Sequence, residues 1–361
     1  MRKILRIASF ILIVGVILVA TVLGYLTVDE YNPQNVEALS INGNTQRNAS
    51  VGTPMRIMTW NVGFGALGDN ADFFMDGGKM VQTASKDRVY SNLTGIMKEV
   101  EAVSPDIFFA QEIDTNSART YFINESDYFV NNSPATVFDG QNAYATNYRV
   151  AFVPLPLPPI GKVEAGIEIF SEYKLNSAIR LKLPCPFSWP LRTMNLKRCL
   201  EVCRVPVLDS DKELVLINLH LEAYDDGEGK IEQTKVLSSI LSEEVAKGNY
   251  VIAAGDFNQT FSGTDSSRYP LVEGADWQPG IVEESDFDKD LSFYMCEEVP
   301  SCRSLDRVLA DAPSKEPNDF QYYILDGFIV SSNIDVEAVT TEDLGFVCSD
   351  HNPVIMDFKL K

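Results

Sequence analysis

The chain has 361 residues, with 30 Lys or Arg against 51 Asp or Glu and a formal net charge of −21. So acidic a chain has no global attraction for polyanions, which disfavours a general nucleic-acid binder but leaves room for a local basic groove. Its six cysteines and two histidines show no paired short spacings of a structural zinc site.

The N-terminus predicts a membrane segment. Arg2, Lys3 and Arg6 precede an uncharged run over 7–28, and no acidic residue comes before Asp29. About 20 apolar residues suffice to cross a bilayer as a helix, and basic residues before the run predict an N-terminus inside and a body outside. A cleavable signal peptide is the alternative. The run exceeds the usual signal core of about 7–15 residues, however, and Val19-Ala20-Thr21 is a poor cleavage site. Residues 1–28 are therefore expected to be a transmembrane anchor or an uncleaved signal. Residues 29–54 are rich in Asn, Gln, Ser and Gly without apolar periodicity and are expected to be a tether. From 55 to 361 no linker or repeat marks a second domain, so one folded body is expected, as a monomer with no protein partner.

Strand signals recur through that body. Residues 56–61 alternate, 106–111 form a short apolar run behind a Ser-Pro turn, and further strands are expected at 150–153, 167–170, 178–183, 201–207, 214–219, 250–254, 325–330 and 354–358. Two stripes have helical spacing instead. One is Val89, Leu93, Ile96, Met97 and Val100; the other is Ile231, Val236, Leu237, Ile240, Leu241 and Val245, stopped by Gly248-Asn249. About ten strands with helices at intervals predict an α/β sandwich of two packed sheets covered by helices. The stretch 262–321 is polar, acidic and weakly periodic, and reads as a substrate-side insertion. Cys296 and Cys302 bracket a short polar loop and are the best candidate disulfide, with free thiols the alternative.

Several strands end in a polar group. Thr59-Trp60-Asn61, Ala110-Gln111-Glu112, Asn218-Leu219-His220, Gly255-Asp256-Phe257-Asn258 and Ser349-Asp350-His351 share this grammar, and Leu325-Asp326-Gly327 fits it less closely. Strand ends at one rim of a sandwich can bring distant groups into one pocket. Both histidines of the chain, His220 and His351, lie in such segments, and imidazole is the side chain that exchanges protons near neutrality. Carboxylates and amides make an oxygen-rich set that suits magnesium, with manganese as a substitute, better than zinc. Such an inventory is what phosphate-ester hydrolysis requires: charge neutralisation, a carboxylate to align water, and donors for the leaving oxygen. Taken singly, each residue also has a structural reading, since Asp and Asn after Gly are common in turns and Trp60 suits a core.

The order Trp-Asn, Gln-Glu, Asn-x-His, Gly-Asp-Phe-Asn, Asp, Ser-Asp-His resembles the endonuclease/exonuclease/phosphatase superfamily, with its deoxyribonuclease-I-like fold, from about Met55 to Phe358. The resemblance implies a four-layered α/β sandwich with two mainly antiparallel sheets, and an active site at one rim. It implies that Glu112 is the main magnesium ligand with Asn61 beside it, and that Asp326 is a further acidic residue near the metal. Asp256 would align the attacking water and Asn258 would hold a phosphate oxygen. His351 would contact the scissile phosphate with Asp350 as its partner, His220 would serve the phosphate or leaving group, and Arg198 is a candidate phosphate contact. Lys86 and Arg88 are weighed as phosphate contacts against a solvated helix start.

The substrate is less legible. His220-Leu-Glu-Ala223 is similar to a stretch of neutral sphingomyelinases. With the anchor and the acidic body, it favours a phospholipid headgroup diester. A surface nuclease acting on DNA or RNA is the alternative, and a non-catalytic binding module a third reading.

Overall fold

The computed structural model describes residues 2–225, 227–273, 277–311 and 320–361. Two mixed sheets of seven strands each pack face to face. The first runs, edge to edge, Val36–Ala38, Ser177–Lys182, Cys199–Pro206, Glu213–His220, Tyr250–Asp256, Asp326–Ser331 and Leu291–Tyr294. The second runs Ile334–Thr341, Val354–Leu360, Met55–Asn61, Ile107–Asp114, Gly161–Ser171, Gln141–Val153 and Ile41–Gly43. Each sheet is antiparallel but for one parallel pair, Glu213–His220 with Tyr250–Asp256 in the first and Met55–Asn61 with Ile107–Asp114 in the second. Parallel neighbours need a crossover, and the helices Glu228–Ala246 and Lys86–Val103 supply it.

Alternation along the strands sorts side chains into layers. Ile57, Ile107, Phe109, Leu214, Leu216, Ile252, Ala254 and Phe328 fill the space between the sheets. Met58, Trp60, Phe108 and Ala110 turn outward against the Val89, Leu93, Ile96 and Val100 stripe of Lys86–Val103. Val215, Ile217, Val251 and Ala253 meet Leu237 and Leu241 of Glu228–Ala246. The result is the expected four-layered α/β sandwich, and each large apolar side chain fully buried in it contributes about 1.5–3 kcal/mol. Helix punctuation follows the local residues. Ser85 accepts from the Arg88 amide at the start of the first crossover helix, and Gly248, at φ 77°, closes the second.

Three expectations meet a different arrangement. Residues 29–54, read as a tether, are tied to the body: Val36–Ala38 and Ile41–Gly43 each add an edge strand, one per sheet, and the Ala49 amide donates to the Pro206 carbonyl at 3.0 Å. Three-residue edge strands are held by backbone bonds and leave no apolar period to read. Cys296 and Cys302 are free thiols rather than a disulfide. Cys302 is buried where the short strand Cys302–Arg303 pairs with Tyr322–Tyr323, and it also bridges His351, so it is committed to the rim. The stretch 262–321 is only partly insertion, because Leu291–Tyr294 closes one edge of the first sheet. Residues 274–276 and 312–319 of it lie outside the described residues. Helix Glu125–Asn132 carries too few apolar residues to be seen in the sequence, and edge strand Ile334–Thr341, whose first five residues alternate, is a further strand beyond those expected.

The helix Arg2–Asp29 is long and apolar enough to cross a membrane, a test that a signal sequence also passes. Its last turns rest on the body, with Leu26 buried against Val150, Val153 and Val163.

Candidate active site

The alternation that fills the inter-sheet core also builds the site. Ile57-x-Thr59-x-Asn61, Leu214-x-Leu216-x-Asn218-x-His220 and Ile252-x-Ala254-x-Asp256 each run from the core to the rim on one face. In the first sheet, Asp256 is the register partner of both His220 and Asp326, so the three side chains come together. The parallel strands of both sheets end at the same rim, outside whose carboxyl ends a cleft of about 450 Å³ opens. Asn61, Glu112, Arg198, His220, Asp256, Asn258, Asp350 and His351 all line it.

Glu112 reaches this cleft against the strand's own parity. Phe109 and Gln111 face the inter-sheet space, which would send Glu112 the other way. A bulge between Ala110 and Ile113, with Glu112 at φ 58° in the left-handed region, redirects it. Such a backbone costs about 1–3 kcal/mol and is found where function over-determines it. Behind the bulge, Gln111 donates to Asn218 at 2.8 Å and to Thr59 at 3.0 Å. Asn218 thus lies on the His220 face one step deeper.

The charged groups meet at short range. The Asn61 amide donates to Asp256 at 3.1 Å and to Glu112 at 3.2 Å, while its oxygen accepts from the Gly63 amide at 3.0 Å. His220 Nε2 lies 3.4 Å from Asp256 and 3.8 Å from Glu112. His351 Nε2 lies 3.6 Å from the same Asp256 oxygen, and its Nδ1 is 2.8 Å from Asp326. The partner of His351 is therefore Asp326, where Asp350 was expected. Asp350 instead takes a hydrogen bond from Ser349 at 3.3 Å and would meet any Cβ placed on Gly63 at 2.8 Å. Ser349 also donates to the Asn61 carbonyl, and Trp60 donates from beneath to the His351 carbonyl at 2.8 Å. Asn258, at φ 51°, donates through its side chain to the Leu221 carbonyl, and its amide donates to Asp256 at 2.8 Å.

These contacts separate the two imidazoles. Burial, then Arg198 and His351, hold His220 well below its ordinary pKa, so it is neutral. Burial also opposes the charge on His351, but Asp326, Cys302 and Asp256 outweigh it and hold the ring well above its ordinary value, as an imidazolium. Burial raises the Glu112 and Asp256 carboxyls and lifts Asp350 to about 7.

A divalent cation fits beside Glu112. Its carboxylate, raised by burial, accepts only the Asn61 amide among the described residues. Asn61 would add its oxygen by turning the amide over, which gives up the hydrogen bond that oxygen accepts from the Gly63 amide. Asp256, Asp326 and His351 also bring ligand atoms within 4.8 Å of one another. That cluster keeps Asp326 near a metal position, as the resemblance implies, while its carboxylate also meets His351 Nδ1 at 2.8 Å.

Arg198 is buried at the cleft wall, donating to the His220 carbonyl at 3.3 Å with Glu222 3.8 Å away. Arg88 pairs with Asp69 at 2.6 Å, and neither it nor Lys86 lines the cleft. The opposite wall is one that sequence reasoning missed. Tyr224 donates to Asp76 at 2.9 Å, and burial lifts the Asp76 carboxyl to about 6. Arg303 donates to the carbonyls of Gly68 and Ala71, while Arg119 lies 3.6 Å over the Phe64 ring. These residues sit in loops, single 3-10 turns and the two-residue strand Cys302–Arg303, all too short for periodicity, so no local signal could have found them.

Residues 58–351 match the sequence profile of the Endonuclease/Exonuclease/phosphatase family. Among solved structures, an endonuclease/exonuclease/phosphatase from Beutenbergia cavernae superimposes with a TM-score of 0.55 at 18% identity, over 85% of this chain and 72% of that one. Another from Bacteroides vulgatus gives 0.50 at 14% identity, over 86% of this chain and 100% of its own. At such identities the likeness shows the fold. No curated protein matches the chain in sequence.

Proposed function

The chain belongs to the endonuclease/exonuclease/phosphatase family and is a metal-dependent phosphoric ester hydrolase; from that premise we propose that it cleaves a phosphodiester in phospholipid headgroups, anchored by its N-terminal helix with the body outside. The observation that carries the reaction is the meeting of Glu112, Asn61, His220, Asp256 and His351 in one cleft. What favours a lipid is the packing of Leu26 against Val150 and Val153, which would hold that cleft close to a bilayer spanned by the helix.

Glu112 and Asn61 would hold magnesium, or manganese in its place; when bound, the ion neutralises phosphoryl oxygens and eases departure of the leaving oxygen. Asp256 is the group that orients and deprotonates the attacking water, since Asn61, the Asn258 amide and both imidazoles fix its carboxylate. Asp326 orients His351, whose Nε2 proton faces the cleft as a donor to the phosphoryl group. His220 is neutral, and the two carboxylates near Nε2 favour the proton there, so it serves as an uncharged hydrogen-bond donor. Arg198 supports the His220 strand end through the carbonyl and adds positive charge to the wall.

The test is a parallel assay of the full chain with magnesium on sphingomyelin and other phospholipids, duplex DNA, RNA and inositol phosphates. Headgroup release above nuclease turnover, abolished by chelator and restored by magnesium or manganese, is expected. Faster nucleic-acid cleavage would overturn the lipid reading, and full activity in excess chelator would overturn the metal assignment.

A further inference from the structure

Two loops flank the foot of the N-terminal helix, and neither carries a charge. Residues 150–161, Val-Ala-Phe-Val-Pro-Leu-Pro-Leu-Pro-Pro-Ile-Gly, are the end of the strand Gln141–Val153 and the turn from it into Gly161–Ser171. Residues 183–191, Leu-Pro-Cys-Pro-Phe-Ser-Trp-Pro-Leu, follow the strand Ser177–Lys182. Between them they leave five large apolar side chains in the open: Phe152 at 45% exposure, Leu155 at 64%, Leu157 at 81%, Trp189 at 52% and Leu191 at 57%. Single exposed apolar residues are ordinary, but a group gathered at one end of a molecule marks a surface that is covered in use.

The helix identifies the cover. Val22 and Leu26, inside its uncharged run, pack with Val150, Val153, Ile160 and Met194. Trp189 Nε1 donates to Thr27 Oγ1 at 3.0 Å, and the Ala151 amide donates to Asp29 at 3.2 Å. From Val22 to Asp29 the helix rises by about 10 Å, at ~1.5 Å per residue. The loops thus run beside the last two turns of the span rather than beyond them, at the level where bilayer hydrocarbon gives way to headgroups. Tryptophan is enriched at that level, and lysine or arginine at its watery edge. Arg149 and Lys162 bracket the first loop, Lys182 and Arg192 the second. Arg192 pairs with Glu30 at 2.9 Å and Lys162 with Glu164 at 3.4 Å, so the apolar residues carry the contact and the bases only border it.

We propose that loops 150–161 and 183–191 form a membrane seat, entering the headgroup region of the bilayer that the helix spans. The inference rests on the anchor reading above and deepens it. Ile160, on the first loop, and Asn195 and Leu196, just past the second, line the catalytic cleft. The seat therefore sets the mouth of the cleft beside the lipid surface, so a headgroup diester reaches the site without leaving its bilayer.

The experiment uses the full chain in phosphatidylcholine vesicles that carry a nitroxide quencher near the headgroup. Carbonate washing reports the anchor; tryptophan quenching, compared between the wild type and Trp189→Phe, reports the seat. Of the three tryptophans, Trp60 is buried in the core and Trp277 lines the cleft; both are common to the two proteins, so the difference isolates Trp189. Retention with quenching that falls in Trp189→Phe is expected. The double change Leu155→Asp, Leu157→Asp should at least halve the quenching while the thermal midpoint holds. Retention with Trp189 untouched by lipid quencher but open to aqueous acrylamide overturns the seat and leaves the anchor standing. If carbonate releases the protein, the anchor reading fails; flotation of the released body with vesicles would still support the seat, and its absence would overturn it.

Discussion

The two sheets share one plan, a parallel pair closed by a crossover helix, yet they deliver their functional groups differently. In the first, His220, Asp256 and Asp326 are register partners on neighbouring strands, and regular pleating alone turns them to one face. In the second, Asn61 obeys the pleat, but its register partner is Gln111, and Glu112 enters only through a bulge at positive φ. His220, Asp256 and Asp326 therefore sit on a relaxed ladder, while the proposed cation ligand sits on a strained one. A bulge can aim a carboxylate at a place that no regular strand position faces, and its cost is met by the ladders on either side.

That contrast can be broken at four points. The largest effect is expected at the bulge: Glu112→Gln keeps the shape and removes the charge, and kcat/KM should fall by about 10³-fold or more, with far-UV circular dichroism unchanged. Wild-type turnover in that variant would leave the bulge without a functional reason. Where the first ladder's Asp326 holds the loop residue His351, His351→Ala should lower kcat by about 10²–10⁴-fold. Asp326→Asn should cost more than Asp350→Asn, because only Asp326 touches the ring. Equal losses in steady-state kinetics would argue against the dyad.

The third point is the ladder itself. A Cβ on Gly255, at φ 146°, would lie 1.9 Å from the Leu219 carbonyl oxygen, between the strands that carry His220 and Asp256. Gly255→Ala should destabilise the fold by about 2–3 kcal/mol in urea unfolding and reduce activity with it. A midpoint like the wild type would mean that the sheets tolerate spreading at the rim.

The smallest effect lies in the outer layers. The first sheet's crossover helix is tied to its sheet through a side-chain carboxylate, the second through a backbone carbonyl: Glu244 accepts from Arg204 and Lys247 at 2.7 Å and from Asn249 at 2.6 Å, while Val103 accepts from Arg56 at 3.1 Å. Burial opposes its charge, but these donors hold its carboxyl down at about 2, from an ordinary 4.5. A lowered carboxyl stabilises the fold above its ordinary pKa and loses that contribution as pH falls toward its folded one. Glu244→Gln should therefore cost about 1–2 kcal/mol at pH 7. In urea titrations the gap should close between pH 4.5 and about 2. A gap independent of pH would assign the loss to packing.

Much of this arrangement is legible in the chain's local patterns. Periodicity marks the central strands and both crossover helices, because period 2 and period 3.6 are local properties of a chain with one buried face. The rim motifs are legible too, since each is a few residues at the end of an apolar run. The edges are not: Val36–Ala38, Ile41–Gly43 and Leu291–Tyr294 are held by backbone bonds that no side-chain pattern records.

The sequence by itself determined that an apolar helix precedes an acidic α/β body, and that Asn61, Glu112, His220 and Asp256 stand at strand ends, with His351 just ahead of the strand Val354–Leu360. Only the tertiary structure decided that Asp326 rather than Asp350 holds His351, that Glu112 turns inward, and that loops 150–161 and 183–191 gather at the foot of the helix. Each depends on register between strands far apart in the chain, and register is set by the joint packing of both sheets, so no single segment contains it.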